Sequence, residues 1–554
     1  MPYKRKTWFL TCIVTFFLLS LVACGRVPTA STPSPIATAP TTAIPAPATP
    51  TIPPTQTATL PVATVSVVEP SPTPTSPATA AKDRLTARTQ QMGLDNTGLW
   101  QYEPGNFVHP RTLEVIGDTA YLLDSGRVLR LDLLHPTPPQ VILQAGAIID
   151  AVPVLEPFDL DSAGEMLYVL DRAGDVYNYN TVTNLWQLDR YDRRVRDVSS
   201  QYYVALSADT DTRFLLETSY KFVQAYTDDG DIYAWLSGDG REVDLSVQGG
   251  FAYVLTQAGA EMGQVVKVEA ALRTQVEWTL SGVLTRPRSI LATPTTLYIL
   301  DQAGSHLQAF TAASGKFIRD WTFTEPISTF WADDTRLILA GRDALYFVER
   351  PEQLATITGG VLLASGQPHD PLTLATLEGL LRPIVDTSVA LREFQLPGAP
   401  RHYRLGVHEG MDFYKTIGTP VQAVAAGVII RADTSYITPT AWLFGQMHET
   451  VLAEGFTSPE VLDFYRGRQI WLQLDNGWVA HYAHLSAIAP GIEVGTRVTV
   501  GQRLGNVGNS GSPITQENPD GDVHLHFELW LGDHYLGQFL HPIEVREWLE
   551  IIWP

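Results

Sequence analysis

Between about residues 95 and 350 one pattern of apolar and polar positions recurs. "TAYLLDSGRVLRLDL" begins at Thr119, "EMLYVLDRAGDVYNYN" at Glu165 and "RFLLETSYKFVQAY" at Arg213. "FAYVLTQAGAEMGQVVKVE" begins at Phe251, "TLYILDQAGSHLQAF" at Thr296 and "RLILAGRDALYFVE" at Arg336. Each unit is an apolar strand, a short turn rich in Gly or Asp, and a second strand in which apolar and polar residues alternate. Period-two alternation marks strands with one buried face. Turns such as "DSGR", "DRAGD" and "DQAGS" supply residues that tolerate positive φ, as hairpins require. The units recur roughly every 40 to 47 residues, the size of one four-stranded propeller blade. Six are clear, with room for a seventh before Asp118 or after Arg350.

The pattern therefore predicts a six- or seven-bladed β-propeller over residues 91–365, with an architectural resemblance to propellers of the quinoprotein or NHL type. Asp124, Asp171 and Asp301 occupy like positions in three units and read as turn residues. No nucleophile-and-base arrangement is evident there. A propeller commonly presents a binding face, so a protein or glycan ligand is open to it, but the fold alone does not name one.

Past about residue 385 the pattern changes to short apolar strands punctuated by glycine, as in "TPVQAVAAGVIIRAD" (Thr419 to Asp433) and "GTRVTVGQRLGNVGNSG" (Gly495 to Gly511). These predict an antiparallel β-sheet domain over 385–554. Residues 434–468 interrupt it. Thr438, Pro439 and Gly455, then Ser458, Pro459 and Gly467, are the caps and stops of a helical hairpin, Pro439 to Glu454 and Pro459 to Arg466. This insertion, and the loop "SPITQENPDGD", are placed to wall a groove. The expected fold is thus mainly β, a propeller followed by a sheet domain with a helical insertion.

Within the sheet domain "VHLHFEL" holds His524 and His526 on one face of a strand. Two imidazoles side by side on a core face are costly unless something pairs with them. They sit at a surface, or they face a partner such as a metal ion.

Both cysteines, Cys12 and Cys24, lie at the N-terminus, so any metal further along the chain is held by His, Asp or Glu. "MPYKRKTWFLTCIVTFFLLSLVAC" has a basic n-region and an apolar run, the grammar of an export signal. Its end, Leu21 to Cys24, resembles the bacterial lipobox, which implies a signal peptide over 1–24, lipidation of Cys24 and a membrane-anchored, extracytoplasmic protein. Residues 25–90 are dominated by Pro, Thr, Ala and Ser and read as a disordered stalk. The formal charge is −21. Nucleic-acid binding is discounted on that ground.

Three motifs follow in order: "GVHEGMDF" with His408 and Asp412, "VAHYAHLS" with His481 and His484, and "VHLHFEL". With "GTPVQAVAAGVI" and "GNVGNSG" between them, they closely resemble peptidase family M23, the LytM or lysostaphin type, over about residues 390–545. The resemblance implies a Zn2+ ion held by His408, Asp412 and His526, with His484 and His524 lining the site as catalytic residues. Two imidazoles and a carboxylate leave a fourth position for water, whose pKa zinc lowers to ~7. A nearby histidine can accept its proton and another can steady an oxyanion; which does which is open. The family's substrates imply hydrolysis of peptidoglycan peptides. The alternative is a non-catalytic regulator of other wall hydrolases, with the propeller as binding scaffold. His481 reads as structural or surface, and His534 and His541 as solvated.

Overall fold

The structure, a computed structural model, describes residues 97–101 and 107–554. Short stretches within the latter are excepted: 135–136, 193–200, 228–229, 238–239, 259–261, 270–274, 277–279, 281–283, 302–303, 324–325, 334–335, 342–343, 350–355, 358–370 and 390–391. The signal peptide, Cys24 and the stalk read from the sequence lie outside the described residues. Among the described residues no helix is long and apolar enough to cross a membrane.

The N-terminal region consists of four- and five-stranded sheets, antiparallel apart from the pairing of Phe317–Phe323 with Thr356–Ile357, and each is built on the predicted strand–turn–strand repeat. The innermost strands are β1 (Pro110–Ile116), β2 (Pro157–Ala163), β3 (Tyr203–Asp209), β4 (Arg241–Gln248), β5 (Pro287–Ala292) and β6 (Thr329–Ala332). They touch in sequence, and β6 returns to β1, giving a propeller-like ring. Polar side chains stitch neighbouring inner strands together. Asp159 on β2 accepts from Thr112 Oγ1 of β1 and from Leu206 N of β3, both at 2.7 Å. Asp244 on β4 accepts from Ile290 N of β5 at 2.8 Å. The two backbone bonds satisfy edge N–H groups that β3 and β5 would otherwise leave unpaired.

Strand Thr97–Gln101 does not begin a further sheet. It pairs with Ala344–Glu349, in the sheet of β6, so the first described strand completes the last sheet. Among the described residues six such sheets are present. The turn aspartates act as read. Asp171 accepts from Leu155, Glu156 and Ala173 N–H groups, and Asp124 from Val108 and His109. Each fixes the chain as it enters an inner strand.

The C-terminal region is built around a seven-stranded antiparallel sheet, with a smaller three-stranded sheet of Pro420–Gln422, Ala487–Ile488 and Arg503–Asn506. The strands of the larger sheet are β7 (Met411–Tyr414), β8 (Gly427–Ala432), β9 (Ile470–Leu474), β10 (Val479–Ala483), β11 (Arg497–Val498), β12 (His524–Leu531) and β13 (His534–Tyr535). Their spatial order is β7–β12–β10–β9–β8–β11, with β13 beside β12. The core under this sheet includes Met411, Phe413, Leu472, Tyr482, Leu525 and Phe527, all buried. Each contributes ~1.5–3 kcal/mol by leaving water.

The insertion forms the expected helices, α1 (Ala441–Glu454) and α2 (Pro459–Arg466). Helix α1 starts two residues later than expected from Pro439, because the Thr440 hydroxyl accepts from Leu443 N and so sets the N-cap. Gly455 closes α1 at φ 77. A small core of Leu405, Phe444, Val451, Val461 and Tyr465 holds the pair against the segment before His408.

The two regions pack against each other. The last helix, α3 (Pro542–Ile552), stands with its N-terminus at the axial channel of the ring, where His541, Ile543 and Glu544 seal a cavity of about 80 Å³ lined by β1–β6. Glu544 lies 3.2–3.3 Å from His109, Arg111 and Arg288. Arg172 donates to Leu540 O at 2.9 Å and pairs with Glu156, and His402 Nε2 lies 3.0 Å from Ala173 O.

Candidate metal centre

Strand register brings the motifs together. Asp412 on β7 lies directly opposite His526 on β12, and Ala483 on β10 flanks His526 from the other side. Gly410 makes the close approach possible: a Cβ there would lie 2.4 Å from Phe527 O. His408 is fixed by backbone bonds at 2.7 Å on both sides, from its N–H to Ala399 O and from Gly398 N to its carbonyl. Its Nδ1 donates to Leu396 O at 2.9 Å, which leaves Nε2 as a lone pair. His526 Nε2 lies 2.8 Å from the Glu528 carboxylate, which leaves Nδ1 as a lone pair.

Those two nitrogens and Asp412 Oδ1 are pairwise 3.0 Å apart. All three residues are buried. Ligand atoms around a tetrahedral ion with ~2.0–2.1 Å bonds are ~3.3 Å apart, so the spacing and the N,N,O donor set suit a small divalent cation such as zinc. With both second ring nitrogens already engaged, neutral histidines would aim two imidazole lone pairs at the carboxylate oxygen. A cation removes that repulsion. The same electrostatics appear in the proton affinities. His526 is raised to about 9: burial opposes this, but hydrogen bonds to Asp412 and Glu528 outweigh it. His408 is lowered to about 3 by burial and by Arg401. Asp412 is held well below its usual value, since His408 and His524 outweigh the opposing effect of burial.

His484 and His524 stand beside this cluster, their rings 4.7 Å apart. His484 follows β10 in a left-handed conformation, φ 58, which turns it out of the strand's alternation. Its Nδ1 donates to Ser510 O at 2.7 Å and its backbone N–H to Arg466 O at 2.9 Å. His524 Nδ1 lies 2.8 Å from Asp522 O, and its Nε2 lies 3.6 Å from Asp412 Oδ1. Each imidazole is therefore held through Nδ1 and offers Nε2 as an acceptor. Tyr414 stacks on His524 at 5.0 Å and is 47% exposed, so this flank of the site meets solvent.

Residues 406–537 match the family model described as Peptidase family M23. The chain carries an M23 peptidase domain at its C-terminal end. No curated protein matches the chain. Solved structures similar to it include the computationally designed Ika8 protein, at 9% identity over 45% of this chain and 98% of that one, with a TM-score of 0.30. They also include U3-55K, at 9% identity over 46% and 98% with a TM-score of 0.34. A third is the nidogen/laminin complex, at 13% identity over 40% and 92% with a TM-score of 0.30.

The M23 domain holds site residues that sequence reasoning passed over. Glu528, fully buried, bonds His526, and it continues the face-sharing series of His524 and His526; the pattern H-x-H-x-E carried that signal. Arg401 donates to Asp412 Oδ2 at 3.2 Å, leaving Oδ1 toward the histidines, and no local pattern marks it. His481 is buried rather than at the surface. It faces Glu528 across the β10–β12 pair, with its Nδ1 3.0 Å from that carboxylate. His541 is likewise not solvated: it is 5% exposed, caps α3 by accepting from Ile543 N, and stacks on Phe158.

Gly467 ties the insertion to the M23 site. Its φ is 68, and a Cβ there would lie 2.2 Å from Ser510 O, the acceptor for His484. Gly467→Ala is expected to cost on the order of 2–4 kcal/mol, from backbone strain plus overpacking. A denaturant titration against wild type checks this.

Proposed function

We propose that this protein is an exported, lipid-anchored zinc metallo-endopeptidase that hydrolyses peptide bonds of bacterial peptidoglycan. The observation that carries the reading is the convergence of two imidazole lone pairs and one carboxylate oxygen on a single buried point. His408, Asp412 and His526 would hold the zinc. When bound, it would acidify a water and polarise the scissile carbonyl. His408 is oriented for this by Leu396 O, Asp412 by Arg401 and His526 by Glu528. Such outer partners fix tautomer and direction.

His484 and His524 would move protons and meet developing charge at Nε2, because Nδ1 is engaged in both. The family match supports the peptidase chemistry, and its substrates support peptidoglycan as the target. The basic and apolar N-terminus ending at Cys24 supports export and anchoring, which would hold the enzyme on the outer face of the cell membrane.

The test is mass spectrometry of fragments released from purified peptidoglycan by the full chain, with metal content measured on the same preparation. Release of new peptide termini by a zinc-loaded protein is expected. A zinc-loaded protein that releases none would overturn the hydrolase reading and favour a regulator of other wall hydrolases.

A further inference from the structure

The inserted helices α1 and α2, expected to wall a groove, also reach the candidate metal centre from behind. We propose that the insertion is part of the support of the metal centre, and that Arg466, the last residue of α2, is a positioning residue for His526 and His484 together. The inference rests on the assignment of His408, Asp412 and His526 as metal ligands.

The side chain of Arg466 is buried and forks onto Glu528, with Nε donating to Oε1 at 2.8 Å and an Nη donating to Oε2 at 2.7 Å. This is the planar two-bond pairing that only arginine makes with a carboxylate. Glu528 is fully buried and has no solvent to offset its charge. Its Oε1 meets His526 Nε2, while His481 Nδ1 and Trp530 Nε1 meet Oε2. Arg466 is the permanent cation among these partners. Its fork sets the plane of the carboxylate, and that plane sets where His526 directs Nδ1.

The backbone of the same residue fixes the second histidine. The Arg466 carbonyl accepts the His484 N–H at 2.9 Å, and Arg468 O accepts Leu485 N at 3.0 Å. Gly467, between them, lies against Ser510, whose carbonyl takes His484 Nδ1. One residue at the end of an inserted helix thus reaches one site histidine through a side chain and another through a peptide group. The rest of the insertion holds that residue in place. Val461 and Tyr465 on α2 pack with Phe444 and Val451 on α1 against Leu405, and Thr457 N donates to Leu405 O at 3.2 Å. A detachable lid would not share a core with the segment that leads into His408.

The test uses the full chain loaded with zinc or with cobalt(II) in its place. Zinc affinity is measured by competition with a chelator, and the cobalt visible spectrum reports the ligand field. Arg466→Lys keeps the charge and loses the fork; it is expected to bind zinc about 10–100-fold more weakly and to shift the cobalt bands. Arg466→Met/Glu528→Gln removes both buried charges together, so it remains foldable if the single variant is not, and the same loss is expected of it. Asp463→Asn, which breaks the α2 pair with Arg431, is expected to change neither reading. Zinc binding within about twofold of wild type in the arginine variants, with unchanged bands, would overturn the inference; so would an equal loss in Asp463→Asn. A wild-type chain that takes up neither metal would overturn the metal centre itself, and the inference with it.

Discussion

Under the proposed function, His526→Ala is expected to cut the hydrolysis of peptidoglycan peptides by on the order of 1000-fold or more, since a bound metal's share of transition-state stabilisation is several kcal/mol. The size follows from what the residue connects. His526 is the only one of the three converging residues that also touches Glu528, and it sits between Asp412 on one side and Ala483 on the other. Its removal takes away one of the three converging donors and leaves Glu528 with one donor fewer in a fully buried place. Rate and zinc content should fall together. His484→Ala gives the contrast: its Nδ1 is held by Ser510 O, and none of the three converging atoms belongs to it, so the rate is expected to fall with zinc retained. Parallel loss of zinc in both variants would contradict this division of labour.

Glu544→Gln is expected to destabilise the chain by about 3–5 kcal/mol at neutral pH, the cost of removing one partner from a buried charge cluster. Glu544 faces His109 and Arg111 at the start of β1 and Arg288 on β5, and it also accepts from His541 N in the cap of α3. Glutamine keeps the shape and loses the charge. The pH dependence follows from the direction of the shift. Burial would raise the Glu544 pKa, but Arg288, His109 and Arg111 outweigh it and hold the group well below its usual value of 4.5. A carboxylate whose pKa is depressed on folding contributes stability above its unfolded value and loses it as pH falls. The gap between wild type and Glu544→Gln in denaturant midpoint should therefore be widest above about pH 5 and shrink below it. A constant gap across that window would show that packing, not charge, holds α3 at the channel.

The sequence made the converging residues legible because their spacing is local: H-x-x-x-D on one segment, H-x-H on another. Sheet register does the rest, and it is written in alternation. Glu528 was within reach of the same logic, two residues beyond His526. Arg401 and Arg466 were not. Each meets its carboxylate only because separate segments converge, and an arginine at a helix end or before a turn has many solvated precedents. His541 misled for a related reason. A histidine before proline resembles a surface turn, and only docking of α3 into the ring buries it. The repeat predicted the sheets, but it could not reveal that Thr97–Gln101 belongs to the sheet of β6, because a single strand carries no mark of a partner so far along the chain.

That pairing bears on how the molecule is made. Thr97–Gln101 finds Ala344–Glu349 across about 250 intervening residues, and contacts of such long range slow folding. A growing polypeptide emerging in order would carry that strand unmatched until the last sheet had been synthesised. Its open hydrogen-bonding edge would be exposed throughout that interval to other unfinished copies.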